Sequence, residues 1–242
     1  MEVRLNKFIA RAGVCSRREA DELITQKCVT VNGEAASSGM KVSEGDVIVV
    51  KGRILEAKPP VMIAFYKPRG VVCSTSEKDR AVTFDRYLDL KEHLFPVGRL
   101  DKDSEGLLLL TNMGDLSERI ARAGTSHEKE YIVACTKPVS ESFIDRMGKG
   151  VTITIPAGRS TTGRREIYKT RPCRVTKIDD FTFDIILTEG KNRQIRRMCE
   201  ALSNSVSSLK RVRIMNIKLG SLKEGETRII SPGEIDELED LL

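Results

Sequence analysis

The chain has 242 residues, enough for a small domain joined to a larger one with a substantial core. Its 41 Lys+Arg against 35 Asp+Glu give a net charge of +6, which favours a polyanionic partner without singling one out. Six scattered cysteines with no CxxC pair, and two histidines far from any cysteine cluster, argue against structural zinc and for reduced thiols. No secretion signal or membrane-length apolar run is present, so a cytoplasmic protein is expected.

At the start, Leu5, Phe8, Ile9 and Ala12 recur at helical spacing, and Arg4, Lys7 and Arg11 gather on roughly the opposite side. Gly13 ends this helix. Ser16 and Glu19 form a capping-box pattern ahead of Ala20, Leu23 and Ile24, which predicts a second helix carrying Arg17 and Arg18 in its first turn. "CVTVNG" alternates as a strand and ends in the hairpin dipeptide Asn32-Gly33, and "KVSEGDVIVVKG" adds strand around a Gly45-Asp46 turn. Pro59-Pro60 continues neither helix nor strand and reads as a linker. Residues 1–60 and 61–242 are therefore expected to be two domains.

Beyond the linker, strand-like runs ("VMIAFY", "EYIVAC", "RVTKI", "FTFDIILT", "VRIMNIKLG") mix with helical ones ("GDLSERIARAG", "SESFIDRMGKG", "NRQIRRMCEAL"). The regular alternation of a doubly wound fold is missing, so the fold class is α+β on a mostly antiparallel or mixed sheet. Ser231, Pro232 and Glu234 open a terminal helix. Positive charge is concentrated: residues 191–218 hold eight basic residues and one acid, whereas 221–242 hold two basic and seven acidic.

"GRLDKDSEGLLLLTN" places Asp101, Asp103, Glu105 and Gly106 where a calcium loop has its first, third, fifth and sixth positions. The match then fails, because Asn112 stands where a bidentate Glu is required and "LFPVG" precedes the loop where a helix should enter. No metal site is expected. Asp103 and Glu105 read as acids on a solvated turn, whereas Asp101 adjoins a strand that must be interior and can be held at the edge of the core.

"GRLDKDSEGLLLLTNMGDL" resembles the active-site motif of the RsuA-type pseudouridine synthases, the group that also contains RluB, RluE and RluF. "FYKPRGVVCS" at 65–74, "HEKEYIVAC" at 127–135 and "LTEGKNRQIRRMCEAL" at 187–202 carry the same resemblance, and "AGTSHEKEYIV" and "KRVRIMNIKLG" are nearest the RluF subgroup. "RLNKFIARAGVCSRREADELITQKCVTVNG" resembles the S4-like RNA-binding module, in which two helices and a hairpin present a basic face to RNA. Met113 and "LSNSVSSL" depart from the usual pattern without touching the motif residues.

The resemblance implies an RNA pseudouridine synthase acting on ribosomal RNA of the large subunit; that isomerisation requires no metal, nucleotide or other cofactor, and a monomer is expected. It makes Asp101 the catalytic carboxylate, as nucleophile or as base, and Tyr131 the aromatic that stacks on the flipped uracil. It also assigns the basic partner of Asp101 to Arg196. On an ideal helix Arg196 falls beside the apolar face of Ile195, Met198, Cys199 and Leu202, while Arg193 and Arg197 fall opposite and are better placed for phosphates. Arg99 matches the position that approaches the vacated stack, and Arg4, Lys7, Arg11, Arg17 and Arg18 are expected to contact RNA. The alternative from another class is a non-catalytic RNA-binding or ribosome-assembly protein on the same fold. A methyltransferase would need a nucleotide-type glycine loop after a strand, which the sequence lacks.

Overall fold

The computed structural model of the chain describes residues 2–242 apart from 44, 57, 74–81, 89–93, 122–126 and 158–163. His93, Ser74 and the tail of the helix predicted over 114–124 lie outside the described residues.

In the N-terminal module β1 (Val3–Arg4) leads into α1 (Leu5–Arg11) and α2 (Arg17–Thr25), followed by β2 (Val29–Val31), β3 (Glu34–Ala35), β4 (Lys41–Val42), β5 (Ile48–Val50) and β6 (Arg53–Ile54). The Ser16 hydroxyl accepts from the Glu19 N–H and the Glu19 carboxylate accepts from the Ser16 N–H, closing the capping box. Asn32 and Gly33 both take positive φ, as a type I′ hairpin requires, and join β2 to β3. Leu5, Ile9, Ala20, Ile24, Val29, Ile48 and Val50 form one core between the helices and the sheet β3-β2-β5-β6.

The rest of the chain contributes β7 (Met62–Lys67), α3 (Phe84–Leu88), β8 (Phe95–Pro96), β9 (Glu105–Thr111), α4 (Gly114–Ala121), β10 (Lys129–Cys135) and α5 (Glu141–Gly148). There follow β11 (Thr152–Pro156), β12 (Arg165–Lys169), β13 (Arg174–Lys177), β14 (Thr182–Leu187), α6 (Gln194–Ala201), β15 (Val206–Ile214), β16 (Ile217–Lys218), β17 (Thr227–Ile229) and α7 (Pro232–Asp240). The main sheet runs β13-β14-β10-β15-β9-β7-β17, with β8 on β9 and β16 on β15. Its described pairs are antiparallel except β9 with β15, so the sheet is mixed, as expected of the α+β class.

Leu107 to Leu110 are all fully buried, because β9 is covered on both faces. Leu107 and Leu109 pack with Met62, Ile120 and Ile217, while Leu108 and Leu110 pack with Phe65, Phe84 and Leu100. Each such side chain contributes about 1.5–3 kcal/mol of burial. Gly106 has φ +101°, and a Cβ there would run into the carbonyl oxygen of Arg211. That close approach lets β15 lie parallel to the start of β9, pairing Lys210 with Glu105 and Arg211 with Gly106. It also brings the turn before β9 within reach of β10 and α6.

Candidate active site

Asp101 lies on the turn between buried Leu100 and β9, and backbone contacts from several directions fix that turn. Within it, the Ser104 N–H donates to the Asp101 carbonyl at 3.0 Å; from outside, the Gly70 N–H donates to the Lys102 carbonyl at 2.8 Å. From α6, Arg196 Nη2 donates to the Asp103 carbonyl at 3.0 Å and approaches the Ser104 hydroxyl at 3.5 Å. The Asp101 side chain is 34% exposed, which leaves it open to a ligand on a backbone that is held. Asp103 is exposed, as expected. Glu105 is not on a solvated turn: it opens β9, and its carboxylate accepts from the Tyr66 hydroxyl at 3.3 Å and the Ser208 hydroxyl at 3.2 Å.

The three arginines of the 192–202 segment divide differently from a helical projection. Arg193 has φ +50°, outside the helical region, and forms the N-cap of α6 instead of its first turn. Its side chain therefore turns back toward the acids, with Nη1 3.6 Å from Asp101 Oδ2 and 3.4 Å from Asp103 Oδ2. The direct cationic contact of Asp101 is thus Arg193, where the sequence points to Arg196. Arg196 does reach inward, being 8% exposed, but it donates to the carbonyls of Asp103 and Val206 and holds the turn from behind. Burial pushes its pKa below the usual arginine value and neighbouring Arg193 adds to this, while Asp103 and Asp101 oppose it. Arg197 spends its guanidinium on the Asn192 carbonyl and side chain and, at 2.7 Å, on the Thr154 carbonyl of β11. It braces the β11–β12 hairpin against α6 instead of standing free for phosphates.

Tyr131 stands on β10 and packs against two of the hydrophobic clusters. With Asp101 it lines a cleft of about 410 Å³ that also takes in Arg99, Lys129, Tyr168, Arg193 and Arg211. A cleft of this size accepts a single nucleotide base. Arg99 is exposed at its wall, where a phosphate contact is open to it. Lys129, two residues before Tyr131, shares its side of the strand. Burial, with the Arg211 charge in second place, lowers the Lys129 pKa to about 8. Tyr168 donates to Glu189 at 2.6 Å, with the Lys191 ammonium over its ring at 4.3 Å. Lys129, Arg211, Tyr168 and Glu189 are absent from the sequence reading. Only Lys129 carries a usable signal there, its i, i+2 spacing from Tyr131.

On the N-terminal module Arg4, Arg11, Arg17 and Arg18 are exposed, as an RNA-facing surface requires. Lys7 is not free among them, since it forms an ion pair with Asp115 in the first turn of α4, tying the module to the larger domain.

Residues 61–201 match the RNA pseudouridylate synthase family, and residues 3–48 match the S4 domain. Over 238 residues the chain is 44% identical to "Dual-specificity RNA pseudouridine synthase RluF" of Salmonella typhi, covering 97% of this chain and 78% of the relative. It is 35% identical to "Ribosomal large subunit pseudouridine synthase B" of Bacillus subtilis, covering 97% and 95% of the two chains. A solved structure described as a pseudouridylate synthase superposes with a TM-score of 0.67 at 31% identity, covering 99% of this chain and 100% of the other. Motif, fold and relatives agree: the chain belongs to the RNA pseudouridylate synthase family, isomerases of uridine in RNA, and carries an S4 domain at its N-terminus.

Proposed function

We propose that the protein isomerises a uridine of large-subunit ribosomal RNA, with Asp101 as its catalytic carboxylate. The observation that carries this reading is the cleft in which Asp101, on a fixed turn, meets Tyr131 from a neighbouring strand. The N1–C1′ bond breaks, the uracil turns, and a C5–C1′ bond forms; C5 loses a proton and N1 gains one. Nothing else enters or leaves, so side chains suffice. Asp101 attacks the ribose or the base, Tyr131 stacks on the flipped uracil, Arg193 contacts the carboxylate, and Arg196 holds the turn.

RNA runs from the exposed arginines of residues 1–60 to Arg99 at the cleft of residues 61–242. We take the protein to work as a monomer in the cytoplasm. Among the described residues no helix is long and apolar enough to cross a membrane. The likeness to the ribosomal large subunit pseudouridine synthase B of Bacillus subtilis supports the large subunit as target. The test is to map pseudouridine in total RNA from cells with and without the protein. Loss at one or a few large-subunit positions is expected. Loss only in other RNA would contradict the target, and no loss at all would contradict the assignment.

A further inference from the structure

Among the cations lining the cleft that the reaction scheme above leaves without work, Arg211 and Lys129 are the two with no acidic or aromatic partner given by the structure. Arg211 is 2% exposed and donates to the Leu107 carbonyl at 2.8 Å and the Arg99 carbonyl at 3.4 Å, which fixes it under the Asp101 turn. Its third nitrogen, Nη2, is buried without a hydrogen-bond partner. Lys129 donates to the His127 carbonyl at 3.2 Å and has further N–H groups to offer. Among the described residues neither cation has an acidic partner within ion-pair distance. Two like charges kept together in a partly buried wall, with no acid at ion-pair distance among the described residues, are costly. Such an arrangement is explained by a ligand that supplies the missing negative charge.

We infer that Lys129, backed by Arg211, binds a carbonyl oxygen of the uracil and stabilises the charge that develops there as the base is detached and rejoined. This rests on the pseudouridine synthase reading of the cleft. A phosphate is the poorer fit here: its full charge and hydration suit the exposed arginines, whereas Lys129 and Arg211 line the cleft together with Tyr131, Leu187 and Leu209, whose apolar surfaces suit a base. Heterolysis of N1–C1′ leaves the bonding electron pair on N1, spread over O2 and O4. If Asp101 adds to C6 instead, the electron pair of the C5–C6 double bond moves to C5 and O4. Either route makes a carbonyl oxygen more anionic in the transition state than in the bound uridine, and a cation placed there accelerates both. The low Lys129 pKa agrees with a desolvated ammonium awaiting an anion.

The experiment uses full-length protein and an unmodified large-subunit rRNA transcript tritiated at uracil C5, with tritium release as readout. Lys129→Ala should lose about 100-fold in single-turnover rate, the scale of one lost oxyanion donor, with RNA affinity and melting temperature near wild type. Lys129→Arg should recover most of the rate, and added ethylammonium should rescue Lys129→Ala where 1-propanol of similar size does not. A rate near wild type in Lys129→Ala would overturn the inference. So would equal rescue by amine and alcohol, or a loss that tracks a fall in melting temperature and persists in Lys129→Arg. Wild-type protein without tritium release would instead count against the synthase reading itself, so the two failures are separable.

Discussion

Arg193 Nη1 lies 3.6 Å from the Asp101 carboxylate, from a residue whose φ of +50° takes it off the helix that follows. Arg196, one turn further on, reaches the same turn through the backbone of Asp103. The first arginine meets the charge of Asp101 and the second meets its scaffold. Arg193→Ala should therefore slow turnover about 10²-fold by releasing the carboxylate, with the melting temperature held. Arg196→Ala should slow turnover and also cost about 2 kcal/mol, since the Asp103 and Val206 carbonyls lose their donor. Single-turnover rates and thermal melts of the two variants separate these roles; equal melting temperatures would refute the division.

Gly106 is where β9 touches β15. Gly106→Ala meets both a positive φ and the Arg211 carbonyl, so it should destabilise the protein by about 2 kcal/mol or more. A melting temperature within a degree of wild type would show that β15 moves aside freely.

The exposed arginines and Lys7 should behave differently on RNA. Charge reversal of Arg4, Arg11, Arg17 and Arg18 is expected to weaken binding and flatten its salt dependence, whereas Lys7→Ala, which breaks the pair with Asp115, leaves the salt slope nearly intact. Filter binding across a salt series reads both effects. An equal drop in slope for Lys7→Ala would place Lys7 on RNA.

Glu234 caps α7 and accepts two hydrogen bonds from Arg228 of β17, at 2.8 and 3.0 Å. These bonds first, then the Ser231 N–H, lower its pKa to about 2 from 4.5. A depressed carboxyl pKa stabilises the fold above the unfolded value and loses that contribution as pH falls toward the folded one. The melting temperature gap between wild type and Arg228→Ala should thus be full above pH 4.5 and shrink toward pH 2. A gap that is constant over that range would exclude the linkage.

Much of this architecture is legible in the chain. Capping boxes at Ser16 and Ser231, the Asn32-Gly33 turn and the "LLLLTN" run depend on local chemistry, and each element forms where it is expected. The β11–β12 hairpin is legible only in part: β11 alternates, with Ile153 and Ile155 buried between exposed Thr152, Thr154 and Pro156, whereas Arg165, Glu166 and Ile167 of β12 are all exposed and mark no buried face. The Arg193 contact escapes a helical projection because one left-handed residue rotates its side chain out of the helix, and nothing in "NRQ" announces that. Glu105 and Arg211 depend on which strands become neighbours, a property of long-range pairing between β9 and β15. The Asp101–Tyr131 pairing rests on resemblance at the sequence level and becomes geometry only once β9 and β10 share a sheet.

If Asp101 carries the chemistry, tritium release from C5-tritiated rRNA by Asp101→Asn and Asp103→Asn, alongside filter binding, will show it. Asp101→Asn keeps shape and removes the charge and the nucleophile, so turnover should vanish while RNA binding survives. Asp103→Asn, at an exposed acid that shares Arg193 with Asp101 while its carbonyl keeps the Arg196 contact that holds the turn, should keep most of the activity. Turnover near wild type in Asp101→Asn would rule Asp101 out as the catalytic carboxylate.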